Sequence, residues 1–239
     1  MIKYLISPTK TMRIKPSERY QEPFLRTHAD PLVKHLVSLS LPDLKSHFKL
    51  SDKLAQTLYQ HLQTFDPVTP AIYAYQGQQF KALDADTLNE DALSFAENHV
   101  HILSGLYGLL RPLDSISTYR LPLDEGLPGE PVIDYWKAHL KPQLKSHTIV
   151  NLSSKEYSQL LSGCDTVIEV DFVAYVNGRP KRSAMTLKTL RGLFLRYVID
   201  HQITDLEALK NFEALGYTFD AFDENQLRFV KKNTRVLKK

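Results

Sequence analysis

The residues of this sequence that could do chemistry gather where apolar runs end. Ser7-Pro8-Thr9-Lys10-Thr11 follows the short run Lys3-Tyr4-Leu5-Ile6. Hydroxyls on either side of a lysine at the carboxyl end of a strand can cradle an anion, since open sheets collect ligands at that edge. The segment lacks the glycines of a phosphate-binding P-loop, and a plain surface turn is the competing reading. Asn151-Leu152-Ser153-Ser154-Lys155-Glu156-Tyr157 ends a second apolar run. Its Ser-x-x-Glu spacing from Ser153 predicts a capping box, which places polar groups beside the free N–H groups of a helix start.

Leu103-Ser104-Gly105-Leu106-Tyr107-Gly108-Leu109-Leu110-Arg111-Pro112-Leu113-Asp114 is the most informative stretch. Two glycines three residues apart give a tight backbone path, and Pro112 fixes the backbone that carries Arg111. Arg120 stands in Thr118-Tyr119-Arg120-Leu121-Pro122, again just before a proline. Two rigidly presented arginines beside tyrosines suit a phosphate clamp with base stacking. The alternative is a structural pair of Arg111 with Asp114. On a helix predicted over 186–201, Lys188 and Arg191 lie near the N-terminus, where the helix dipole disfavours cations. Apolar residues nearly encircle that helix, so its cations need a carboxylate such as Glu156, or a ligand, for a partner. Gly192 in its middle costs ~1 kcal/mol against Ala and predicts close approach of another element.

Lys45, Lys49 and Lys53 surround the turn of a helical hairpin predicted over 42–65. Such a hairpin can grip nucleic-acid backbone without reading sequence, or it can be ordinary packing with solvated lysines. Metal and thiol chemistry are weak. His99 and His101 have no acidic or cysteine partner at ligand spacing, and Cys164 has no adjacent histidine or second cysteine. No cofactor or metal is expected.

The chain has 239 residues, 43% of them hydrophobic and 24% charged. That suits an ordinary globular protein and excludes disordered and disulfide-scaffold classes. A single cysteine excludes an intramolecular disulfide, and no apolar run approaches the ~18–20 residues of a membrane span, so a cytoplasmic protein without membrane contact is expected. Net charge is only +3, but the cations are unevenly placed. Arg179–Ile199 and Arg228–Lys239 each hold six cations and no acid, which favours an anionic partner. Residues 231–239 read as a basic C-terminal tail.

The elements that position these groups read as follows. A buried strand opens the chain. Three helical pieces run from Pro31 to about Phe65, with Ser51 as an N-cap and Leu54, Leu58 and Leu62 inward. The Tyr-rich stretch 71–80 reads as extended, and Asn89–Asn98 as a helix with Leu93 and Ala96 inward. Strands follow at 100–103 and 148–152 with a helix at 135–144 between them. Asn177-Gly178 predicts a hairpin, and a second hairpin turns at Glu224-Asn225. Strands, helices and hairpins in this order give an α/β fold, a mixed sheet with flanking helices in one continuous domain over 1–239.

Together these motifs resemble the YaaA peroxide-stress protein family. The resemblance rests on Ser7–Thr11, Ser51-Asp52-Lys53-Leu54, the Leu103–Asp114 run, Tyr119-Arg120-Leu121-Pro122, Asn151–Tyr157 and Arg191-Gly192, in order along nearly the whole chain. Thr9 departs from the alanine usual in the family and leaves Lys10 in place. The resemblance implies a family-specific single-domain fold with a positively charged cleft. It also implies a helix-hairpin-helix-like element at Lys49-Leu50-Ser51-Asp52-Lys53-Leu54, and affinity for double-stranded or distorted DNA. Its implied role is in the hydrogen peroxide response, where the family lowers unincorporated iron and so limits oxidative damage. No settled enzymatic activity comes with it.

Two functional expectations result. In the first, Lys10, Lys49, Lys53, Arg111, Arg120, Lys188 and Arg191 serve DNA binding in one cationic cleft. In the second, the cleft holds a nucleotide, nucleobase or damaged nucleic acid as an enzyme's substrate, with Glu156 or Asp52 as general acid/base and Ser7 or Ser153 orienting it.

Overall fold

Tyr4, Leu5 and Ile6 are fully buried, so β1 (Ile2–Ile6) faces water on neither side. A strand buried on both faces belongs inside a parallel sheet covered by helices. The computed structural model describes residues 1–18, 20–125 and 130–234. After β1 come α1 (Arg26–Ser38), α2 (Leu41–His47) and α3 (Asp52–Thr64), then β2 (Thr69–Pro70), α4 (Ala71–Ala74) and α5 (Gln78–Leu83). α6 (Glu90–His99) leads into β3 (Val100–Ser104), β4 (Gly108–Leu110) and β5 (Ser115–Ile116). α7 (Val132–Leu144), β6 (Thr148–Asn151), the single turn α8 (Lys155–Ser158), β7 (Thr166–Val176) and β8 (Arg179–Lys181) follow. The described chain closes with α9 (Ala184–Asp200), β9 (Thr218–Asp223) and β10 (Gln226–Thr234).

The fold is mixed α/β. Its main sheet has the order β4-β3-β1-β6-β7-β10-β9, with β8 paired to the far end of β7. The five inner strands are parallel, and β4, β8 and β9 pair antiparallel. Tyr4 of β1 stands opposite Val100 of β3 on one side and Val150 of β6 on the other. From β1 the sheet grows first toward β3 and then, from β6, in the opposite direction. The carboxyl ends of β1 and β6 therefore flank a topological switch point, where the connecting loops part and leave a crevice. β2 and β5 form a separate two-stranded pair.

Most local readings are realised. Ser51 caps α3 by accepting from the Leu54 N–H, and Asn89 caps α6 by accepting from Ala92. Asn177 and Gly178 both have positive φ (51° and 75°), as a tight β7–β8 hairpin requires. Four expectations are corrected. Residues 71–80 are not extended but form α4 and the start of α5. The Ala71 and Ile72 N–H groups donate to the Asp114 and Pro112 carbonyls, and buried Tyr75 holds the turn by its hydroxyl contact with Tyr119. Tertiary contacts thus override the aromatic preference for strands. The cap after β6 is Ser154 rather than Ser153, and its helix is one turn long. In α3, Leu54 is exposed and Ala55 takes its inward place; in α6, Phe95 is buried while Leu93 lines a surface cleft. Lys231 and Lys232 belong to β10 rather than to a tail, Lys231 donating to the Leu215 carbonyl, whereas Arg235, Lys238 and Lys239 lie outside the described residues.

The predicted approach at Gly192 is made by α5. A Cβ on Gly192 would stand 2.1 Å from the Gln79 carbonyl oxygen and 2.7 Å from the Ala82 Cβ. Neither backbone nor a short methyl can yield cheaply, so Gly192→Ala is expected to destabilise the protein by ~1–3 kcal/mol through overpacking. Urea unfolding of the variant checks this; unchanged stability would mean that α5 and α9 do not pack this closely.

Candidate functional site

The crevice at the switch point is a cavity of about 510 Å³. Its walls come from four loops and one helix. Ser7–Thr11 follows β1, Gln76–Gln79 runs from α4 into the first turn of α5, Tyr119–Pro122 follows β5, and Ser154–Tyr157 runs from β6 into α8. Lys188 and Arg191 project from α9. Backbone contacts fix the walls to one another. The Ser154 N–H donates to the Ser7 hydroxyl (2.7 Å), which ties the two strand ends together. The Gln76 N–H donates to the Thr11 carbonyl (2.8 Å), and Met12 bridges to Tyr75. A Cβ on Gly105 would lie 2.0 Å from the Leu121 carbonyl oxygen, so only glycine lets the loop after β3 support the Arg120 wall this closely. Behind that wall, His61 of α3 contacts the Thr118 hydroxyl (2.6 Å) and His47 of α2 contacts Glu125 (2.8 Å).

The fold brings together Ser7, Lys10, Arg120, Glu156, Lys188 and Arg191 from four distant segments of the sequence. Lys10, Lys188 and Glu156 are exposed at the rim. Arg120 and Arg191 lie deeper, and the Nε of each is buried without a hydrogen-bond partner among the described residues. The amide nitrogen of Gln79, a residue only 6% exposed, is in the same position. None of the four cations is ion-paired among the described residues. Burial lowers Arg191 from the ordinary arginine range, while Glu169 and Asp171 on β7 favour its charge. Those two carboxylates are committed elsewhere. Glu169 accepts from Asn151 (2.8 Å) and Ser158 (3.1 Å), and Asp171 is clamped by Arg182 (2.6 Å). An unpaired buried donor costs free energy, and an acceptor supplied from outside removes that cost.

The aromatic floor is a hydroxyl chain. Tyr119 contacts Ser104 (2.6 Å) and Tyr75 (2.8 Å), and the Ser104 oxygen accepts from the Leu106 and Tyr107 N–H groups. Burial pushes the Tyr119 phenol up to about 12 and raises Tyr75 and Tyr157 as well. These phenols stay protonated near neutrality, so they donate or stack and do not act as bases. Ser7 is occupied as the lock between strand ends, and neither histidine nor cysteine lines the cavity among the described residues. Glu156 is the carboxylate at its edge. Ser153 is buried beneath, its N–H donating to the Asn151 side chain (2.9 Å).

Three predicted binding residues and one predicted acid/base fall outside. Arg111 is a structural residue: its Nε and Nη2 donate to Asp114 (3.0 and 2.8 Å), and it lies over the Phe24 ring. Asp114, with no exposed surface, also accepts from the Arg111 and Phe24 N–H groups (2.9 Å each). Lys49 and Lys53 are exposed on the α2–α3 pair, where Lys49 takes the left-handed conformation usually left to glycine. Asp52 pairs with Lys45 there and does not reach the cleft. Lys188 is exposed and not buried as its helix suggested, because the apolar stripe leaves that face open. Sequence reading missed Gln76, Gln78 and Gln79. The signal available was Phe80 and Leu83 at helical spacing after Gly77, obscured by the preceding tyrosines. A larger cleft of about 790 Å³, with Glu18, Glu90 and Glu97 in its walls, is acidic and lies apart. Burial pushes the Cys164 thiol up, away from reactivity. No group of three metal-ligating side chains comes together, and no helix is long and apolar enough to cross a membrane, among the described residues.

Fold and site define an α/β protein with a crevice at its sheet switch point, lined by cations unpaired among the described residues. Comparison with known proteins supplies the family. Residues 2–237 match the family model of the peroxide stress protein YaaA, and the chain belongs to that family. A UPF0246 protein of Finegoldia magna is 34% identical over 241 residues, covering 96% of this chain and 98% of that protein. UPF0246 proteins of Francisella tularensis, including subspecies mediasiatica, are 30% identical over 251 residues, covering 95% of this chain and 99% of theirs.

Two outcomes test these assignments. Arg111→Ala should cost roughly 3 kcal/mol in urea unfolding, because it strands a buried carboxylate, while leaving ligand affinity at the cleft unchanged; loss of binding without loss of stability would return Arg111 to the site. His101 is buried, and its pKa falls to about 3, first through burial and then through Lys3. An unfolded histidine binds its proton near pH 6.5, so between there and pH 3 only the unfolded chain gains a proton. Stability should fall as the pH drops through that window, and His101→Phe should flatten the fall. An unchanged pH profile would contradict the burial of His101.

Proposed function

We propose that this protein acts in the hydrogen peroxide response by limiting unincorporated iron and oxidative damage, and that it binds DNA, double-stranded or distorted, through the cationic cleft. The observation that carries the reading is the meeting of Lys10, Arg120, Lys188 and Arg191 around one crevice without a carboxylate paired to any of them among the described residues. Cations left unpaired in this way attract phosphate, and their release of counterions makes binding salt-dependent. The α2–α3 pair, with Lys49 and Lys53 exposed at its turn, lies behind the Arg120 wall through the His61–Thr118 contact and gives a second basic surface for the backbone. It is the proposed counterpart of the family's helix-hairpin-helix-like element. Cytoplasmic action fits this reading.

A second reading, an enzyme acting on a nucleotide, nucleobase or damaged nucleic acid, draws on Glu156. It is the carboxylate that lines the cavity, beside Tyr157 and across from Ser7. A bound substrate would find there one acid/base group, two deep guanidiniums and a tyrosine face.

Duplex affinity measured against salt concentration tests whether the cleft cations neutralise phosphates. The logarithm of the binding constant should fall linearly with log salt, and Lys188→Ala should shallow the slope by about 1. Lys53→Ala should weaken binding if the helical pair takes part. A flat salt plot, or Arg191→Ala leaving affinity untouched, would contradict DNA binding in this cleft.

A further inference from the structure

We infer that the deep end of the cleft is a subsite for a terminal phosphomonoester, carried either by a free mononucleotide or by the phosphorylated end of a nucleic-acid strand. The inference rests on the reading of the cleft as an anion site and narrows it to one kind of phosphate.

The cavity is stratified. Its rim cations, Lys10 and Lys188, are exposed and can meet any phosphate that passes in solvent. Its deep donors are different. Arg120 Nε, Arg191 Nε and Gln79 Nε2 are buried atoms without acceptors among the described residues, and they come from three separate walls. A backbone diester is held between two sugars and lies along a surface, so it brings its oxygens to the rim. A monoester ends the chain and can reach inward. It presents three terminal oxygens and ≈ −1.5 to −2 charges near neutrality, which matches two unpaired guanidiniums better than a singly charged diester does. The carboxylates near this end are Glu156 at the rim, exposed Asp124 whose charge reaches the Tyr157 phenol and, on β7, Glu169 and Asp171, both already held by other donors. None of them supplies the missing acceptor.

The remaining cavity fits what such a phosphate would carry. At about 510 Å³ it lies in the range of ~300–1,000 Å³ usual for small-ligand sites. Tyr157, half-buried and with its phenol held protonated by burial, offers a ring for a base, while Thr9 and Gln78 add polar contacts. The position agrees with topology, since a nucleotide in an open parallel sheet sits outside the carboxyl ends of the strands at the switch point.

Fluorescence anisotropy of otherwise identical duplexes ending in 5′-phosphate, 3′-phosphate or hydroxyl, with calorimetric titration of deoxyadenosine monophosphate and deoxyadenosine, tests the inference. A phosphorylated end should bind roughly tenfold tighter than a hydroxyl end, or the mononucleotide should bind where the nucleoside does not. The first result assigns the monoester to strand ends and the second to free nucleotide. Arg191→Gln and Arg120→Gln should each erase that preference, with thermal melting to show that the variant is folded and Gln79→Leu as the third probe of the same subsite. Salt-dependent duplex binding that is blind to the terminal phosphate, with no mononucleotide binding, would overturn the inference and leave the DNA reading standing. Mononucleotide binding without duplex binding would do the reverse.

Discussion

Everything at the cleft depends on β1 lying between two parallel neighbours in fixed register. Tyr4 faces Val100 and Val150, and the Ser154 N–H reaches the Ser7 hydroxyl just past the two strand ends. Because the side-chain period of a strand is two, a one-residue slip of β1 would turn Ser7 and Lys10 away from the crevice and put its buried side chains out of place. The complete burial of Tyr4, Leu5 and Ile6 is what forbids that slip. The hydrophobic core thus sets where the polar loop begins, and its contacts with Ser154 and Gln76 hold it there.

Around this fixed point the protein uses close backbone approach to bring remote walls together. α9 meets α5 at Gly192, and the loop after β3 meets the Arg120 segment at Gly105. Each contact is too tight for a side chain, so each makes the spacing of its walls rigid. A rigid wall matters for a guanidinium, which binds oxyanions through a planar fork and tolerates little misplacement. On the proposed reading, the cost of leaving the deep donors unpaired is offset by a site already arranged before its ligand arrives, as preorganised sites do.

Much of this architecture was legible in the residues. Strand ends at Ser7 and Asn151, the Asn177-Gly178 turn, the Ser51 cap and the close approach at Gly192 all follow from local chemistry, and Lys10, Arg120, Lys188 and Arg191 do meet around one crevice. Other features needed the third dimension. Arg111 carried the same local signals as Arg120, both arginines before prolines, yet buried Asp114 three residues on claims Arg111 through two side-chain hydrogen bonds. Arg120 has Asp124 four residues on, but Asp124 is exposed and no ion pair joins the two among the described residues, and that contrast separates the two arginines. Gln79 could not be found by reading β-propensity into tyrosines that serve as core hydroxyls, since Tyr75 is placed by Tyr119, 44 residues away. Lys49 and Lys53 sit on a pair of helices that supports the Arg120 wall from behind, which sequence proximity to the motif did not disclose.

Anomalous diffraction from crystals soaked in tungstate asks whether Arg120 and Arg191 are held ready for an outside oxyanion. A strong tungsten peak is expected in the deep pocket, with tungstate oxygens within hydrogen-bond reach of both Nε atoms. Tungsten found only beside exposed lysines such as Lys49 and Lys53, with the deep pocket empty, would contradict that readiness.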